Sequence, residues 1–122
     1  MTPAEDPRLE KVSAIALALA QTTREIHGRH AGFKVKKKVF LYYVDDHHGD
    51  GIIAINCKLP PGENTALIAA QPKHYYMPAY VGPRGWAGFR LDAGRIDWSE
   101  VTELIKTSYS LIADKKLAAA LR

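Results

Sequence analysis

A chain of 122 residues is long enough for one domain with its own core, and a net charge of +4 is too small to demand a polyanionic partner. No apolar run approaches the roughly 20 residues that span a bilayer, and the amino end lacks the basic and apolar segments of a signal peptide. The single cysteine, Cys57, excludes an internal disulfide, so we expect one domain over residues 1–122 in the cytoplasm, away from membranes.

The first half of the chain predicts one helix followed by three strands. Asp6-Pro7 is typical of a helix cap followed by a proline in the first turn, and apolar residues at helical spacing carry the helix to about Gln21. Residues 22–29 have no clear pattern and stay unassigned. Alternating apolar residues and aromatic or β-branched runs predict strands over 32–36, 39–44 and 52–59.

The second half predicts a helix, a hairpin and a last helix. Glu63–Gln71 is a short helix that Pro72 ends, and strands follow over 76–81 and 86–91. Gly82-Pro83-Arg84-Gly85 joins these strands as a tight turn in which Gly85 takes the left-handed conformation and Arg84 is displayed.

The last helix has the clearest start, because Asp97 and Glu100 form a capping box. Residues 114–121 either continue this helix or form a separate turn. The order α-β-β-β-α-β-β-α predicts an α+β fold of two layers, with an antiparallel five-stranded sheet and helices on one face.

Several short motifs in this order resemble the YjbR-like (MmcQ) family, over roughly residues 7–120. The matching pieces are Phe33-Lys34-Val35, Val39-Phe40, His48-Gly49-Asp50-Gly51, Pro72 with Tyr75, Tyr80–Trp86, Ser108-Tyr109 and Lys115-Lys116-Leu117. The resemblance implies a fold similar to the secretion-chaperone-like and frataxin-like folds, and DNA binding by a double-wing pair of hairpins. Relatives have glycine at Lys37, so we expect a positive φ there and a stabilising effect of Lys37→Gly.

Basic residues on the hairpins are the candidate contacts to a nucleic acid, through salt-dependent binding of phosphates. They are Lys34, Lys36, Lys37, Lys38, Lys58, Arg84 and Arg90. If alternation is unbroken, the open sheet face combines four of them, Lys34, Lys36, Lys58 and Arg90, with Val39, Leu41, Tyr43 and Trp86. Bases stack on such rings, but an apolar face also suits a partner protein or a second copy of the chain.

A small-molecule site near Trp86 is a third function compatible with the sequence. The plainer alternatives are that the lysines form a solvated edge that discourages aggregation, and that Trp86 belongs to the core.

The sequence offers little for catalysis or metal binding. His47 and His48 in the Asp45–Asp50 loop are adjacent and would point apart in an extended chain, so a solvated loop is the better interpretation. Cys57 falls on an apolar strand face and is predicted to be structural. Without a nucleophile elbow, a phosphate loop or a His-Glu-x-x-His motif, we expect a non-enzymatic protein without cofactor or metal.

Overall fold

Six strands form one antiparallel sheet in the computed structural model, which describes residues 6–46, 49 and 51–121. The order across the sheet is β1-β2-β3-β4-β6-β5. The strands are β1 (Thr22–His27), β2 (His30–Val35), β3 (Lys38–Asp45), β4 (Ile53–Lys58), β5 (Tyr75–Tyr76) and β6 (Trp86–Arg90), and the helices are α1 (Pro7–Leu17), α2 (Glu63–Ala70), α3 (Trp98–Ile112) and α4 (Lys115–Ala120). The predicted α+β class and antiparallel sheet are confirmed, with six strands in place of five.

The additional strand is β1, in the segment that the sequence left unassigned. It pairs with β2 from Thr22 opposite Val35 to His27 opposite His30, and it lies at one edge of the sheet. Most of its side chains are exposed, including Ile26. A polar edge strand needs no alternation of apolar residues, which explains why the pattern did not predict it.

A β-bulge in β3 changes which side chains face the helices. Phe33 lies opposite Leu41 but Lys34 lies opposite Val39, so Phe40 is an extra residue in β3. Unbroken alternation had placed Leu41 and Tyr43 on the open face. That prediction is wrong, because one extra residue moves every later side chain to the other face of the strand.

Leu41 and Tyr43 are instead buried, at 0% and 1% exposure, in the core beneath the helices. Tyr42 takes their place on the open face, opposite Gly32. The core also contains Phe33, Ile55, Cys57, Phe89, Val101, Ile105 and Tyr109.

The predicted strand over 76–81 is wrong, whereas the turn that follows it is confirmed. Within residues 75–81, only Tyr75 and Tyr76 pair with β6, because Pro78 has no N–H to donate and Tyr80 has a φ of 67°. Gly85 has a φ of 92° and donates its N–H to the Gly82 carbonyl at 3.0 Å. The hairpin is therefore a short β5 joined to β6 by residues 77–85.

The helix starts follow the predicted caps. Asp6 accepts a hydrogen bond from the Arg8 N–H at 2.8 Å, and Asp97 accepts from Ser99 and Glu100 in the same way. The Glu100 carboxylate, predicted to complete a capping box, instead accepts from the Tyr75 hydroxyl. The first helix ends at Leu17 rather than near Gln21. A separate helix, α4, follows α3 and is capped by Asp114.

Ser108 fixes α3 to two strands of the sheet. Its buried hydroxyl donates to the Phe40 carbonyl at 2.5 Å and accepts from the Lys58 N–H at 2.8 Å. Because Phe40 is the bulged residue and Lys58 ends β4, one side chain satisfies backbone groups where the regular ladder stops. The position of Lys58 is set by this contact.

Candidate nucleic-acid interface

The β2–β3 turn and the Gly82–Gly85 turn lie at the same end of the sheet. The pairs that place them there are Val35 with Lys38, Leu41 with Cys57, and Lys58 with Trp86. Since neighbouring strands lie about 4.8 Å apart, the starts of β3 and β6 are separated by about 10 Å. We call this end of the sheet, with Lys37, Lys38, Lys58 and Arg84, the basic end.

Three of the seven predicted cations, Lys34, Lys36 and Arg90, are ion-paired with carboxylates. Lys34 binds Glu25 of β1 at 3.1 Å, and Lys36 binds Asp114 at 2.7 Å. The hydrogen bond from Lys36 lowers the pKa of Asp114, and the one from Lys34 lowers the pKa of Glu25. Both acids are therefore ionised at neutral pH, and these lysines contribute little net charge to a ligand surface.

Arg90 does not belong to the basic end. It lies at the far end of β6 and holds Asp92 through two hydrogen bonds of 3.0 and 3.1 Å. Burial opposes ionisation of Asp92, but the hydrogen bonds from Arg90 and the backbone outweigh it and hold its pKa below the usual value.

The position with left-handed backbone in the β2–β3 turn is Lys36, with a φ of 56°. The sequence had assigned it to Lys37, and that prediction is wrong by one residue. Lys37 and Lys38 are exposed, and among the described residues neither forms an ion pair. Beside them, a shallow cavity of about 370 Å³ is bounded by the end of α3.

Lys58 and Arg84 line one open cavity of about 790 Å³, and neither is ion-paired within the described part of the chain. The walls combine the start of α2 with the Gly82–Gly85 turn and are largely apolar. The apolar side chains among them are Leu59, Pro61, Met77, Pro83 and Leu111.

Asn64 holds this cavity in shape. Its buried side-chain amide donates to the carbonyls of Gly82 and Trp86, both at 3.0 Å. Gly82 packs closely on Met77, since an added Cβ would lie 2.5 Å from the methionine sulfur and would displace that side chain. The turn that carries Arg84 is thus fixed to α2 before any ligand binds.

The predicted partner surface is smaller than the sequence indicated. Leu41 and Tyr43 are in the core, and Trp86 is only 7% exposed, with its ring 5.7 Å from that of Tyr42. Val39 is half-buried, and Tyr42 is 36% exposed. The open face therefore offers little continuous apolar area to a partner.

Tyr80 was not singled out from the sequence, although it is 85% exposed and lies two residues before the Gly82–Gly85 turn. Tyr80 has a positive φ, a backbone conformation that residues other than glycine, asparagine and aspartate rarely adopt. Tyr80 therefore presents its ring to solvent.

Lys73, His74 and Arg95 were also missed, because they come from two separate segments without a motif. They lie around a cavity of about 600 Å³ that Arg90 also lines, at the end of the sheet opposite the basic end. The pairing of β5 with β6 and the hydrogen bond from the Arg90 N–H to the His74 carbonyl bring the two segments together.

The structure gives no support for a nucleophile or a metal centre in the residues it covers. Cys57 is fully buried, and burial raises the pKa of its thiol to about 12, so the thiolate that chemistry needs is disfavoured. No three His, Cys, Asp or Glu side chains within 6–46, 49 and 51–121 are placed to hold a metal ion. His47, His48 and Asp50 lie outside the described residues.

The fold and these side chains define an α+β protein with a six-stranded antiparallel sheet and a basic end. The chain belongs to the YjbR family, whose model matches residues 17–111. Its fold is similar to the crystal structure of a Deinococcus radiodurans protein with a DUF419 domain, with a TM-score of 0.71 and 19% identity over 88% of this chain and 80% of that one. No curated protein matches the chain.

The family match confirms the resemblance, and the solved structure supports the fold alone. The likeness to secretion-chaperone-like and frataxin-like folds stays a prediction. Within the part of the chain that is described, every helix is too short or too polar to cross a bilayer.

Proposed function

We propose that the basic end of the sheet binds single-stranded nucleic acid without catalysing a reaction. One observation carries this proposal: Lys37, Lys38, Lys58 and Arg84 lie at the same end of the sheet, and within the described residues none of them is ion-paired with a carboxylate. A cation that is ion-paired with a carboxylate must break that ion pair before it binds a phosphate. These four cations have no such ion pair to break.

The surroundings of these cations favour a single strand over a duplex. The exposed ring of Tyr80 offers a face on which a base can stack, and the apolar walls beside Arg84 suit an unpaired base. A duplex hides its base faces and would meet only the cations. Affinity for a single strand is therefore expected to exceed affinity for a duplex of equal length.

The experiment compares fluorescence anisotropy of a labelled ten-nucleotide strand and of its duplex. Lys58→Gln with Arg84→Gln should weaken single-strand binding by roughly tenfold or more at low salt, and Tyr80→Ala should remove the preference over duplex. Lys73→Gln with Arg95→Gln removes the same charge at the opposite end and should leave binding unchanged. Equal affinities for all these variants, with thermal melts showing that each is folded, would contradict the proposal.

Self-association through the open face is the weaker alternative, since three of its four predicted residues, Leu41, Tyr43 and Trp86, are buried. A small-molecule site at Trp86 is weakened as well, because the ring of Trp86 does not line the cavity beside it.

A further inference from the structure

A second group of cations lies at the end of the sheet opposite the basic end. The Arg90 N–H donates to the His74 carbonyl at 2.7 Å, which joins the end of β6 to the residue before β5. The cavity of about 600 Å³ at this junction is lined by Lys73, His74, Arg90, Ala93, Gly94 and Arg95. We call these residues the edge cluster.

The charge that lines this cavity has one sign. Three of its six lining residues are Lys or Arg and a fourth is histidine, whereas none of the carboxylates in the described part of the chain lines it. The nearby Asp92 is held by the guanidinium of Arg90. Among the described residues, Lys73 and Arg95 form no ion pair. A concave surface with cations on its walls concentrates anions by focusing the field.

Two of the lining side chains are fixed in place without a ligand. The ring of His74 stacks on the buried Phe89, with centroids 6.3 Å apart and planes 21° from parallel. Asp92 fixes the guanidinium of Arg90 through both of its oxygens. Binding here does not require these two groups to be ordered, which removes part of the entropic cost.

We propose that the edge cluster binds the phosphate group of a small phosphate ester. The guanidinium of Arg95 matches the oxygens of a phosphate, and Lys73 and His74 add further donors. The volume lies within the roughly 300–1,000 Å³ that small-molecule pockets occupy, which leaves room for an organic group on the phosphate. This site is independent of the nucleic-acid proposal, because it uses different residues at the other end of the sheet.

The test is a titration of the ¹⁵N-labelled protein with inorganic phosphate, ribose 5-phosphate and ribose, followed by NMR. Both phosphates should shift the amide signals of residues 73–74 and 90–95, with tighter binding of ribose 5-phosphate, while ribose should shift none of them. Lys73→Gln with Arg95→Gln should weaken ribose 5-phosphate binding at least tenfold. Lys115→Gln with Lys116→Gln removes the same charge from α4 and should leave it unchanged.

A ten-nucleotide single strand distinguishes a small ester from the phosphates of a nucleic acid. It should shift residues 37–38, 58 and 80–85 and leave the edge cluster unperturbed. The proposal is overturned if neither phosphate shifts the amide signals of the edge cluster at millimolar concentration, or if the two double variants bind ribose 5-phosphate equally. It is also overturned if Lys73→Gln with Arg95→Gln weakens binding of the oligonucleotide. The first two results leave the nucleic-acid proposal intact.

Discussion

The ring of Tyr76 lies directly over Gly88 on the open face of the sheet. The two residues are cross-strand partners in β5 and β6, and a Cβ added to Gly88 would overlap atoms Cε1 and Cζ of the tyrosine ring. The Tyr76 hydroxyl then reaches Asn56 of β4, to whose Oδ1 it donates at 2.9 Å. The side chain of Tyr76 thus connects three strands at this edge, β5, β6 and β4. It can lie there because residue 88 is a glycine.

Gly88→Ala should therefore destabilise the protein. The methyl group displaces the ring and breaks the hydrogen bond to Asn56, and we expect a loss of about 1–3 kcal/mol in the free energy of unfolding, measured with urea. Gly32→Ala is the matched control, because there the Cβ would lie 3.9 Å from the Tyr42 ring, in ordinary contact. Equal losses for the two substitutions would show that Tyr76 does not need Gly88.

The β2–β3 turn gives a prediction in which neighbouring lysines behave differently. Lys36 has a φ of 56°, a conformation that costs a residue with a Cβ roughly 1 kcal/mol or more and costs glycine almost nothing. Its ion pair with Asp114 joins two exposed side chains and adds little. Lys36→Gly should therefore retain or raise stability.

Lys37→Gly should lower the stability instead, by roughly 0.5–1 kcal/mol, because Lys37 has no positive φ and glycine adds freedom to the unfolded chain. Urea midpoints of both variants, which lose the same charge, measure the difference. If Lys37→Gly proved the more stable of the two, the backbone of this turn would be assigned incorrectly.

The buried Cys57 predicts a loss of stability in alkali. An unfolded chain loses this proton near pH 9.0, whereas the folded chain keeps it to about pH 12. Between these values the folded state binds more protons, so stability is complete below pH 9 and falls by up to about 1.4 kcal/mol per pH unit above it. Burial also raises the pKa of Tyr75 and Tyr43, and these tyrosines add to the fall above pH 10.

Urea unfolding at several pH values between 8 and 10 measures this slope. Cys57→Ala should flatten it over that range, whatever its effect on stability at pH 7. A wild-type stability that does not change between pH 8 and 10 would contradict the burial of the thiol.

Caps and turns with strong local chemistry were predictable from the sequence, because Asp97 and Gly85 act through the backbone within a few residues. The bulge at Phe40 was not predictable from the local sequence. Its carbonyl is satisfied by a hydrogen bond from the hydroxyl of Ser108, which lies 68 residues away. The strand β1 was hidden because its edge position requires few apolar residues. The bulge is thus a miss that a long-range contact decides, whereas the strand predicted over 76–81 failed for a local reason, at Pro78 and Tyr80.

The same distinction applies to the candidate sites. Arg84 and Lys58 could be predicted from the sequence as cations on strands or turns, but their shared cavity depends on the packing of α2 against the turn. The sequence could not separate them from Lys34 and Lys36, whose acidic partners come from an unpredicted strand and from a residue 78 positions away. The edge cluster left no local signal at all.

The salt dependence of single-strand binding tests the central claim most directly. For a single strand, the plot of log binding constant against log salt concentration has a slope of about −0.7 for each phosphate contact. Lys58→Gln with Arg84→Gln should therefore make the slope less steep by about 1.4, while Lys73→Gln with Arg95→Gln should leave it as in the wild type. Identical slopes for all three proteins would contradict binding at the basic end of the sheet.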